Sequence, residues 1–133
     1  MDQIPRTPEV LQYLQGAQRG QLLVGHCSAC RRHHHYPRPQ CPHCFSPGAT
    51  TRPSSGEATV YSFSVMRRTA EPYVIAYVRL GEGPVVMTNI VNCDVDAVRV
   101  GMPVRLVVPN PEDEWPLLMF EPDSAKEADS PAA

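Results

Sequence analysis

Polar and apolar side chains alternate through much of the second half of the chain. Between Tyr73 and Leu80, the residues Val74, Ala76, Val78 and Leu80 interleave with Tyr73, Ile75, Tyr77 and Arg79, which is the period of a strand with one buried face. Comparable runs cover Ala58 to Met66, Pro84 to Val91, Met102 to Pro109 and Leu117 to Glu121. Turn residues divide them at Ala70-Glu71-Pro72, Gly81-Glu82-Gly83, Asn92-Cys93-Asp94 and Asn110-Pro111-Glu112-Asp113, and Asp94 to Gly101 leaves room for one turn of helix. Five short strands predict a small closed barrel.

The front of the chain has a different rhythm. Val10, Tyr13, Leu14 and Ala17 recur at helical spacing behind a Thr7-Pro8 start, and Gly16 and Gly20 are read as its end. A helix this short needs a surface to dock on, and the small segment behind it has little core to offer, so a partner protein is the expected one. Gln21 to His26 reads as a strand, and Ser46 to Gly56, rich in proline, glycine and serine, as a loop. The resulting fold class is mainly β: an N-terminal helical segment over 1–20, a metal-stapled ribbon over 21–52, a five-stranded barrel over 53–121 and a disordered acidic tail over 122–133.

The ribbon is read from Cys27-x-x-Cys30 and Cys41-x-x-Cys44, two pairs ten residues apart that can bring four thiolates to the corners of a tetrahedron. We read it as a structural zinc site; four thiolates also suit iron, which would make the chain an electron carrier. Two disulfides are the further alternative, disfavoured by the paired spacing. Arg31 and Phe45 follow the two knuckles, where glycine would ease a left-handed turn. His26, His33, His34, His35 and His43 cluster nearby and are read as solvated edges of the hairpin.

Charge divides the chain. Residues 1–52 hold six arginines against Asp2 and Glu9, residues 53–109 balance five arginines with five acids, and residues 110–133 set Lys126 against seven acids. Guanidinium forks suit phosphates and carboxylates, which makes Arg31, Arg32 and Arg38 candidates for such contacts. The polar opening residues and the lack of an apolar run near 18 residues predict neither signal peptide nor membrane span, hence a cytoplasmic protein. Cys93 has no histidine in the barrel segment to activate it and is read as incidental, and Glu57, Glu71 and Glu82 beside turns as solvated.

The motifs G-Q-L-L-V-G-H-C-S-A-C at 20–30, Y-P-R-P-Q-C-P-H-C at 36–44, G-E-A-T-V-Y-S-F-S-V at 56–65, Y-V-I-A-Y-V-R-L at 73–80 and V-G-M-P-V-R-L at 100–106 carry a resemblance. The chain resembles a family, long labelled a domain of unknown function, in which a rubredoxin-like zinc ribbon precedes an OB fold and whose members are associated with acyl-CoA enzymes. The resemblance implies a non-catalytic accessory subunit, not an enzyme on its own. It would pair with a thiolase-type enzyme (a ketoacyl-CoA thiolase, aldolase or acyltransferase) and help accommodate the acyl-CoA. A hot-dog-type enoyl-CoA hydratase is the alternative partner. OB folds and zinc ribbons elsewhere bind nucleic acid. The barrel segment is charge-neutral, though, and Tyr61, Phe63, Tyr73 and Tyr77 fall at alternate positions that a core would also use.

Overall fold

Thr7 opens the first element as an N-cap: its backbone is extended (φ −69°, ψ 157°) and its hydroxyl accepts the Val10 N–H at 3.3 Å. The computed structural model, which describes residues 7–114 and 116–125, carries helix α1 from Pro8–Gln18. The chain reverses at Gly20 (φ 75°). Gly16 does not end the helix. It is a buried contact point, where an added Cβ would lie 2.7 Å from Leu23 Cγ.

That contact corrects the expected partner for the helix. Gly16 and Ala17 are buried, and Tyr13 meets the rings of His35 and Tyr36 at 5.7 and 5.9 Å, so α1 rests on its own ribbon. Burial and the neighbouring Tyr36 push the Tyr13 hydroxyl up to about 12, as expected of a phenol kept from water.

Three strands form the ribbon sheet, in the order β2-β1-β3: β1 (Leu23–Cys27), β2 (His33–His34) and β3 (Ala49–Pro53). β3 lies inside the stretch read as loop. Its A-T-T-R-P sequence has no apolar alternation; it is an edge strand held by pairing with β1 and by the Thr51 hydroxyl donating to Gln12 of α1 at 3.2 Å. The barrel is closed in the order β4-β5-β6-β8-β7, with β4 at Glu57–Met66, β5 at Tyr73–Leu80, β6 at Val85–Ile90, β7 at Pro103–Val107 and β8 at Met119–Pro122. A bulge between Val60 and Ser62 bends β4, so that its first half pairs with β7 and its whole length with β5. A 3-10 turn at Val95–Ala97 precedes β7, capped by the Asp94 carboxylate accepting the Asp96 N–H at 2.9 Å.

The core is aliphatic around Phe120, with Val60, Val74, Val78, Leu80 and Val104 buried beside it. Leu22 and Val24 join the same cluster from the ribbon, so ribbon and barrel share apolar packing. Glu82, read as solvated, adds a polar tie. Ser54 Oγ donates to one of its oxygens at 2.6 Å and the Ser55 N–H to the other at 3.0 Å; although partial burial works against ionisation, these bonds hold its carboxyl below the usual range. The tail also starts later than read: β8 runs to Pro122 and Asp123 is buried. The rest of that expectation, residues 126–133, lies outside the described residues. Among the described residues no helix is long and apolar enough to cross a membrane.

Candidate metal centre

Each C-x-x-C pair sits on a turn closed by one backbone bond: Arg31 N–H donates to Cys27 C=O at 2.8 Å, and Phe45 N–H to Cys41 C=O at 2.9 Å. The residue that closes each turn is left-handed, Arg31 at φ 60° and Phe45 at φ 65°. The turns thus keep the geometry glycine would favour, held by non-glycine residues at a cost of about 1 kcal/mol each. A second bond ties each knuckle to the chain beyond it, Cys27 N–H to Arg32 C=O and Cys41 N–H to Ser46 C=O.

The two turns face one another and bring the four ligand sulfurs within 4.8 Å of each other. Cys27 Sγ lies 3.6 Å from Cys44 Sγ, and Cys30 Sγ 3.6 Å from Cys41 Sγ. A tetrahedron with metal–sulfur bonds of about 2.3 Å has edges of about 3.8 Å, so the four cysteines fit a closed tetrahedral site. None of them is in a disulfide, which removes that alternative. The surroundings favour negative sulfur. The backbone N–H of Cys30 holds the Cys27 thiol down at about 6, and the His43 N–H donates to Cys41 Sγ at 3.3 Å. Cys44 behaves oppositely: against the lowering pull of the Ser46 N–H, desolvation and the other thiols push it up to about 11. A metal-free cluster therefore retains a proton that metal binding must release.

Of the five histidines only His43 is a solvated edge. His34 is 4% exposed, its ring lies over Gly25, and neither of its ring nitrogens has a hydrogen-bond partner. His35 is half-buried and stacks on Tyr36 with ring centroids 3.7 Å apart; burial first, then His34, push it down to about 4. His26 and His33 stack at 4.7 Å on the opposite face. His26, His33, His34 and His35 are thus packing elements of the ribbon, His43 stays exposed as expected, and the four cysteines are the group among the described residues that could hold a metal ion.

Arg31, Arg32 and Arg38 are exposed, and none of them pairs with a carboxylate among the described residues. Cys93 packs against the barrel core, and burial together with Asp94 pushes its thiol up, away from nucleophilic character. The aromatic reading needs correction: Tyr61, Phe63, Tyr73 and Tyr77 are exposed rather than core. The signal was present in β5, where Tyr73, Ile75 and Tyr77 make the second face nearly as apolar as the first.

Comparison with known proteins agrees with this architecture. A family model described as the ChsH2 rubredoxin-like zinc ribbon domain matches residues 14–49, and one described as the ChsH2 C-terminal OB-fold domain matches residues 51–108. A DUF35 domain-containing scaffold protein of Methanothermobacter thermautotrophicus is 33% identical over 97 residues, covering 68% of this chain and 73% of that protein. A probable enoyl-CoA hydratase alpha subunit of Thermomonospora curvata is 35% identical over 115 residues; the match takes in 83% of this chain but spans only 36% of that protein. A solved structure titled Ltp2-ChsH2(DUF35) aldolase superposes with a TM-score of 0.78 at 33% identity, over 90% of this chain and 98% of that one. With ribbon and barrel matched in order and a scaffold relative covered over most of its length, the chain belongs to the DUF35 family of ChsH2-type proteins, in which a rubredoxin-like zinc ribbon precedes an OB-fold domain.

Proposed function

We propose that this protein is a non-catalytic accessory subunit of an acyl-CoA-processing complex, that it pairs with a thiolase-type enzyme, and that Cys27, Cys30, Cys41 and Cys44 hold a structural zinc ion. The carrying observation is the likeness, over 98% of its length, to the chain from the Ltp2-ChsH2(DUF35) aldolase. A closed four-cysteine site leaves no open position for substrate, which supports a folding role for the metal. Zinc would set the two knuckles in register and thereby fix β1, whose Leu22 and Val24 neighbourhood enters the barrel core. The exposed Arg31, Arg32 and Arg38 are then available to the phosphates of coenzyme A or to an acidic surface of the partner.

The 35% identity to a segment of the Thermomonospora hydratase alpha subunit favours a second reading, a hydratase-type partner. Co-expression with the thiolase-type and the hydratase-type subunits of the host, followed by native mass measurement, separates the two. The thiolase-type protein is expected to assemble at fixed stoichiometry and to turn over acyl-CoA only in the complex, and Cys93→Ala is expected to leave that turnover intact. Turnover by the isolated chain would refute the accessory role.

A further inference from the structure

Outward-facing side chains of β4, β5 and β6 meet in rows across the barrel. Register sets Met66 beside Tyr73, Ile75 between Ser64 and Asn89, Tyr77 between Ser62 and Met87, and Arg79 between Thr59 and Val85. The apolar members of these rows are open to solvent: Tyr73 is 42% exposed, Tyr77 47% and Met87 64%. Along one side the face deepens into a groove of about 410 Å³, floored by Tyr73, Ile75 and Met87 and walled by Leu117, Leu118 and Met119.

We propose that this face, centred on Tyr77 and Met87 and grooved along Leu117–Met119, is the seat of the catalytic partner subunit; the assignment rests on the accessory-subunit reading. Tyrosine, methionine and arginine are the residues enriched where proteins meet, and scattered single apolar residues would need no such explanation. The exposed apolar side chains amount to roughly 500 Å², more than half of the ~800 Å² that each partner contributes to a stable interface, and the serine, asparagine and arginine rim supplies the remainder. A second copy of this chain is a poor occupant: a twofold contact uses the same surface on both sides, and these rows hold no carboxylate to meet the other copy's Arg79. A different protein that inserts an apolar knob and offers a carboxylate or carbonyl to Arg79 fills it. Arg79 is already held in place, its guanidinium 5.1 Å from the centre of the Tyr61 ring. Single-stranded nucleic acid could also stack on tyrosines, but it needs a basic track, and Arg79 is the one cation among the residues forming these rows.

The test uses the full chain co-expressed with the thiolase-type and hydratase-type subunits of its host. Met87→Asp and Tyr77→Ser alter exposed side chains; circular dichroism and metal content verify the fold, and Val100→Asp, at an exposed position in the turn before β7, serves as control. We expect both face variants to weaken the complex at least tenfold and the control to leave it unchanged. Retention of the partner at wild-type affinity by both face variants would overturn the seat while leaving the accessory role standing. Failure of the wild-type chain to bind either enzyme would overturn both. An isolated chain that dimerises until Met87→Asp dissolves the dimer would reassign the face to a second copy. Salt-sensitive binding of an oligothymidine strand, abolished by Met87→Asp while the enzyme stays bound, would reassign it to nucleic acid.

Discussion

Single positions in the ribbon carry energies of opposite sign. At Phe45 a side chain that is mostly exposed sits at φ 65°, so Phe45→Gly should relieve the left-handed strain with little loss of packing and stabilise the metal-bound protein by about 1 kcal/mol. At Gly25 the reverse holds: a Cβ would fall 2.0 Å from His34 Nε2, and the ring is buried with no room to retreat, so Gly25→Ala should cost about 2 kcal/mol. Denaturant unfolding of the two variants reads both. His35 makes the ribbon acid-sensitive. Above about pH 6.5 the ring is neutral in both folded and unfolded chains; as pH falls from there through about 4, the unfolded chain binds the proton first, so stability declines across that window. His35→Phe keeps the stacking and should flatten that part of the pH profile relative to wild type; a profile unchanged by the substitution would assign the acid sensitivity to other groups.

Strands and knuckles depend on one another in a definite order. β1 carries Cys27 at its end and pairs with both β2 and β3, so the ribbon sheet stands on the metal cluster. Zinc binding to such sites is worth on the order of 10 kcal/mol, far more than the pairing of two five-residue strands can supply. Chelation should therefore release the amides of residues 23–27 and 49–52 to rapid hydrogen exchange while β5, paired with β4 on one side and β6 on the other, remains protected. Equal loss of protection in β5 would mean that Leu22 and Val24 make ribbon and barrel one cooperative unit. The strands of the barrel were legible because runs of β-branched and aromatic residues stand between clear turn residues, even where, as in β5, both faces are apolar. β3 was not, because an edge strand of polar residues has no pattern apart from its partner.

Over the complete architecture, burial and Asp94 push the Cys93 thiol up, and the four cysteines of the ribbon are directed at one another. The chain offers surfaces instead, a ribbon with exposed arginines and a barrel face of tyrosine and methionine. The cysteine spacing, the helix cap at Thr7-Pro8 and the alternation of β5 were enough to specify a four-cysteine cluster, the start of α1 and a five-stranded barrel, because each is a local pattern that depends on neighbours along the chain. Tertiary structure alone decided that α1 rests on its own ribbon, that His34 packs over Gly25, that Glu82 clamps Ser54 and Ser55, and that the tyrosines lie outside the barrel. Each of these depends on which of two chemically similar faces turns inward or which distant segment lies beside it, and that choice is made by the closure of the sheet and not by the residues in a single stretch.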